Sequence, residues 1–122
     1  MSRSMYLYNQ AVAADPSGPV FFDRSVMEPI AYWRSVGKLE PYLEQVVAQY
    51  RYATDVFMVP PWPEIFIKDA ERQHSYDHDQ SEYARLTDSF QAFGYRLIEI
   101  PRVSVSDRAD FVESHLRSIG VL

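Results

Sequence analysis

The sequence predicts an α/β domain built on a parallel sheet of about three strands flanked by helices. Three observations predict it. Short apolar runs recur along the chain, segments with helical spacing separate them, and each run ends in proline or charge. At 122 residues the chain fits a single domain, 1–122, with enough length to bury a core of its own.

The chain opens on Met5, Leu7, Tyr8, Ala11 and Val12, spaced as one face of a helix. The first apolar run follows, Pro19-Val20-Phe21-Phe22, closed by Asp23-Arg24. Val26, Ile30, Trp33 and Val36 then form a second helical stripe that stops at Gly37. Leu39, Leu43, Val46, Val47 and Tyr50 form a third, with Pro41 in its first turn, where a missing N–H costs nothing. The second run, Val56-Phe57-Met58-Val59, ends at Pro60-Pro61-Trp62-Pro63. A long polar helix is expected from Tyr76 to Phe93, capped by Gly94. The third run is Arg96-Leu97-Ile98-Glu99-Ile100, closed by Pro101. Asp107, behind Ser104 and Ser106, opens a last helix through Phe111, Val112, Leu116 and Ile119. The first two runs are continuously apolar, as in strands covered on both faces; the third alternates in part and suits an edge.

Composition narrows the function classes. The chain has no cysteine, which excludes disulfides, thiolate zinc sites and cysteine nucleophiles. A net charge of −5 without a basic cluster argues against nucleic acid as a partner. No apolar stretch approaches a membrane span, and no apolar run behind Arg3 marks a signal peptide. The expectation is a soluble, cytoplasmic protein.

In open α/β sheets ligands bind beyond the carboxyl ends of the strands, which selects Asp23-Arg24-Ser25, Pro60 to Glu64, and Pro101 to Ser104. An aspartate directly after a buried strand can hold Mg²⁺ through water, and an arginine beside it can clamp a phosphate. The bland alternative is that Asp23 only caps the next helix. Trp62 sits among prolines in a stiff loop, either facing a ligand or closing the core. Lys68 to His74 is a mixed-charge segment, either a solvated face or a lid carrying Arg72. His74 and His78 share a helix face, but no third metal ligand is evident, and no G-x-S-x-G elbow supports a hydrolase.

The order PVFFDRS, an apolar helix, an aromatic-rich helix ending in QYRY, DVFMVPPWPEIFIKDAERQHSYD and FQAFGYRLIEIP resembles the predicted ATPases with a small P-loop kinase-like domain. That family is sometimes counted among AAA domains, and its layout is close to nucleotide and nicotinamide-riboside kinases. The PPWPEIF…DAER block is the most specific part, and the resemblance runs from about Tyr6 onward. It implies ATP and Mg²⁺ as cofactors, and phosphoryl transfer or ATP hydrolysis as activity. It also implies that Asp23 is the Mg²⁺-associated acid and that Arg24 touches a phosphate or acceptor. Asp69 and Arg72 fall in the lid, Arg72 being its phosphate-contacting arginine. Trp62 borders the acceptor pocket, and Arg102, in the Pro101 to Ser104 loop, lies near the adenine.

The family opens with a strand and a G-x-x-x-x-G-K-[ST] loop. Here the glycines are Gly18, Gly37, Gly94 and Gly120, and Gly37-Lys38 is followed by Leu39. The resemblance thus covers the C-terminal two-thirds of such a domain, and the phosphate cradle is not in it. The sequence-level expectation is therefore a kinase-like chain that is inactive by itself. In the family's sheet the missing strand lies between the first two runs, so a homodimer that covers the exposed faces is expected. The alternatives are a non-catalytic interaction module on the same scaffold and, more thinly, a metal-dependent hydrolase using Asp23 and the histidine pair.

Overall fold

The computed structural model describes residues 1–62 and 70–122. Among the described residues five helices and two strands follow in the order α1 (Ser2–Ala14), α2 (Met27–Ser35), α3 (Pro41–Gln49), β1 (Asp55–Met58), α4 (Ala70–Ala92), β2 (Arg96–Glu99) and α5 (Val105–Ser118). The two strands pair in parallel, with Asp55 opposite Arg96 and Met58 opposite Glu99. A parallel pair requires a crossover, and α4 supplies it. The α/β class therefore stands, on a sheet smaller than expected.

The correction concerns the first apolar run. Residues 19–22 form no strand. Val20 and Phe21 are exposed, at 46% and 66% of their surface. The physical reason is that a strand is stabilised by a neighbour's hydrogen bonds rather than by its own composition. Here Pro19 lacks an N–H, and among the described residues no strand borders the run.

The core is built where α2, α3 and α4 converge on the sheet. Met27 and Ile30 from α2, Leu43 and Val47 from α3, Met58 from β1, Phe90 from α4, and Tyr95 form its buried cluster. The Phe90 and Tyr95 rings meet edge to face at 5.3 Å, a geometry the ring quadrupoles favour. Between them the chain turns at Gly94, whose φ of +86° suits glycine and places Tyr95 N–H on the Phe90 carbonyl at 3.0 Å. The Tyr95 hydroxyl then accepts from Tyr52 N–H at 3.0 Å, and the Tyr52 hydroxyl from Val26 N–H at 3.3 Å. This chain of contacts fixes the start of α2 relative to the sheet. Burial pushes the Tyr52 phenol up from its ordinary value, with the Val26 bond opposing.

α1 buries no residue. Its amphipathic stripe delivers Tyr8 into an aromatic group with Phe22, Tyr50 and Tyr52, and the Tyr8 hydroxyl donates to the Arg51 carbonyl at 2.9 Å. α5 is held differently, by the buried Leu116 and by His115, whose Nε2 lies 2.8 Å from Asp55 Oδ2. Among the described residues no helix is long and apolar enough to cross a membrane.

Candidate functional site

An open cleft of about 1380 Å³ runs beside β1. Residues 18–25 line one side, residues 51–59 another, and α4 contributes His78, Asp79, Glu82, Tyr83, Arg85 and Leu86. It holds both charge signs, and most of its cations are engaged within the chain. Arg51 donates to the Phe93 carbonyl and lies over the Tyr95 ring, Arg85 pairs with Glu82, and Arg96 pairs with Asp55.

Arg24 differs. Its φ is +74°, a left-handed conformation that costs a non-glycine residue about 1 kcal/mol. Its guanidinium and the Asp23 carboxylate are exposed at the cleft and have no hydrogen-bond or ion-pair partner among the described residues. The strand-end rule picked out this pair; the strained backbone that presents it was not visible in the sequence.

Asp23 is not the cap of α2. Ser25 and Glu28 form a capping box: the Ser25 hydroxyl accepts from Met27 N–H at 3.0 Å, and Glu28 accepts from Ser25 N–H at 2.7 Å and its hydroxyl at 2.9 Å. Two consequences follow. Asp23 keeps its lone pairs for another ligand, and the α2 N-terminus, filled by its own carboxylate, offers little to a phosphate. Ser25→Ala is expected to lower stability by about 1 kcal/mol, read as a fall in the thermal midpoint, whereas Asp23→Ala leaves the midpoint nearly unchanged.

The remaining sequence candidates lie elsewhere. Trp62 and Arg102 do not line the cleft, although Pro61 does: Arg102 Nη2 donates to the Pro61 carbonyl at 3.1 Å, and the Arg108 guanidinium sits 6.0 Å from the Trp62 ring centre. The loops after β1 and β2 therefore converge, as expected of strand C-terminal ends, but the structure does not join them to Asp23 and Arg24. Asp69 lies outside the described residues. Arg72 belongs to the first turn of α4, so residues 70–74 of the expected lid are helix; the Arg72 side chain is outside the described set. His78 faces Glu82 at 4.0 Å, and no group of three metal-ligating side chains occurs among the described residues.

Sequence reading missed one polar centre. Asp55 accepts from Arg96 Nε at 2.8 Å and Nη2 at 2.7 Å, while its Oδ2 also meets His115 Nε2. The Arg96 bonds first, and then His115, hold the Asp55 carboxyl down at about 2, against a smaller opposing effect of burial. This centre sits at the amino ends of the strands, opposite the ligand-binding end, and serves to clasp α5 to the sheet. The available signal was that Asp55 and Arg96 each open a strand, in positions that parallel register places side by side.

The sequence model of one family, described as an AAA domain, matches residues 3–108. The chain belongs to that AAA domain family. No curated protein and no solved structure gives a match. AAA domains are P-loop NTPase-type domains that generally use ATP and Mg²⁺. Set against that chemistry, the described residues of this AAA domain fit poorly. They offer two unpaired acids, Asp23 and Asp79, and one unpaired arginine, Arg24, at the cleft, but no glycine-rich nest of main-chain N–H groups and no lysine beside one.

Proposed function

We propose that residues 1–122 carry part of a P-loop NTPase-type site of the kinase-like layout, and that by themselves they neither hold nor hydrolyse ATP. The supporting observation is the pair Asp23–Arg24, unpaired and, at Arg24, backbone-strained, at a cleft that shows no phosphate nest among the described residues. Strain of this kind persists where the surroundings enforce it and often marks a ligand site. In this reading Asp23 is the acid that holds Mg²⁺ through water, and Arg24 binds a phosphate oxygen or an acceptor. Arg72 and Asp69 belong to the lid side, and Trp62 and Arg102 border the acceptor and base positions. A phosphate cradle supplies most of the positioning and charge stabilisation in phosphoryl transfer, so half a site contributes little to rate.

Calorimetric titration of the 122-residue chain with Mg-ATP tests this. The expected result is no binding heat up to nucleotide concentrations of about 1 mM. Saturable binding in the micromolar range would show that the described cleft is sufficient and would overturn the reading. A second reading, a non-catalytic interaction module on the same scaffold, is favoured by the open edge of β1.

A further inference from the structure

β1 has the composition of a central strand and the position of an edge strand. Its ladder to β2 runs through Arg96 N–H to the Thr54 carbonyl at 2.8 Å and Ile100 N–H to the Met58 carbonyl at 2.9 Å. In a parallel strand, successive residues direct their main-chain groups to opposite edges. The even-numbered residues therefore face β2, and the N–H and C=O groups of Asp55, Phe57 and Val59 face the cleft. Among the described residues none of these outward groups has a main-chain partner. The edge also lacks the usual protection. No lysine, proline or bulge interrupts Val56-Phe57-Met58, and Val59 is 61% exposed.

We infer that this edge is an interface between two copies of the chain, with β1 pairing antiparallel to β1 of a second copy about a two-fold axis at Phe57. The inference is independent of the role given to Asp23 and Arg24. The outward set Asp55, Phe57 and Val59 is symmetric about its middle member, so the strand is self-complementary. Phe57 lies opposite Phe57 of the second copy, and Asp55 lies opposite Val59, each pair exchanging N–H···O=C bonds in both directions. No like charges oppose one another, because Asp55 faces Val59 and is already neutralised by Arg96. A polypeptide edge satisfies those groups where a helix or a small apolar ligand does not. Paired edges alone bury less than the roughly 1,200–2,000 Å² of a stable interface. Val12, Val20 and Phe21, exposed around the same cleft, supply the further apolar surface. Pro60, one residue beyond Val59, ends the edge.

The test combines sedimentation of the 122-residue chain across the micromolar range with amide hydrogen exchange read residue by residue. The expected result is a concentration-dependent dimer in which the amides of Phe57 and Val59 gain protection with concentration, while those of Val56 and Met58 are protected throughout. Val59→Pro deletes one outward donor without touching the β2 ladder or the core, and is expected to weaken the dimer by at least about tenfold. If that variant does not fold, Val59→Lys places a charge on the same edge with the same expected direction. A monomer at every concentration would overturn the inference. So would a dimer whose outward amides exchange freely, which uses another surface, or outward amides protected independently of concentration, which means the edge is covered within one chain.

Discussion

Ile30→Ala is expected to lower the free energy of unfolding by about 3 kcal/mol. Ile30 is fully buried at the centre of α2 and belongs to the cluster that joins that helix to α3, β1 and α4. Truncation removes apolar surface and leaves a cavity that neighbouring helices close only in part. Domains of this size have about 5–15 kcal/mol in total, so the loss is a large fraction. Urea titration should show the midpoint falling by about 1.5 M with little change in slope. Tyr32→Ala, in the same helix but 55% exposed, is the control and should stay within about 0.5 kcal/mol. Equal losses for the two variants would mean that α2 does not pack through the Ile30 face. The consequence reaches the candidate site, because α2 begins at the Ser25 and Glu28 cap that follows Asp23 and Arg24.

The helices and both formed strands are legible in local pattern: helical spacing for most of the helices, and short apolar runs bounded by proline or charge for the strands. Even the boundaries followed local chemistry: Ser104 caps α5 by accepting from Asp107 N–H at 3.1 Å, and Gly94 ends α4. The run at 19–22 was misread for the opposite reason. Its composition suits a strand covered on both faces, but whether a strand forms depends on a neighbour distant in sequence, and composition does not report that neighbour. α4 likewise extends six residues upstream of its expected start, into a mixed-charge segment that carries no apolar period.

The candidate site divides along the same line. Asp23 and Arg24 are selected by a rule that places ligands at strand ends; no strand precedes them, and what the structure shows is that both line the cleft. Trp62 and Arg102 are selected by the same rule, and their loops converge, but neither side chain lines the cleft with Asp23 and Arg24, a matter of loop path that spacing does not encode. The clasp at Asp55 is hard to read because its partners lie 41 and 60 residues away, and only the strand-opening positions of Asp55 and Arg96 hint at it.

That clasp carries the second large effect. Asp55→Asn is expected to cost about 1 kcal/mol or more, up to about 2, at neutral pH, and the cost should shrink as pH falls below about 4. The substitution preserves volume but turns an acceptor-only carboxylate into an amide whose NH₂ faces the donors of Arg96 and His115. In the native chain the Asp55 carboxyl is depressed from 3.8 to about 2. A depressed acid stabilises the fold fully above its unfolded value and loses that contribution as pH falls through its folded value, so the window lies between about pH 4 and pH 2. The shift corresponds to about 2 kcal/mol as an upper figure. Solvent screening reduces it, because the Arg96 side chain is 62% exposed although that of Asp55 is only 10% exposed. Unfolding free energies of both proteins at pH 7 and at pH 2.5 decide the matter. The expected gap is wide at pH 7 and about two-thirds smaller at pH 2.5, where the carboxyl is almost fully protonated in the unfolded chain but, with a folded value of about 2, still largely ionised in the fold. An equal gap at both pH values would mean that Asp55 acts through packing and that α5 is held by Leu116 alone.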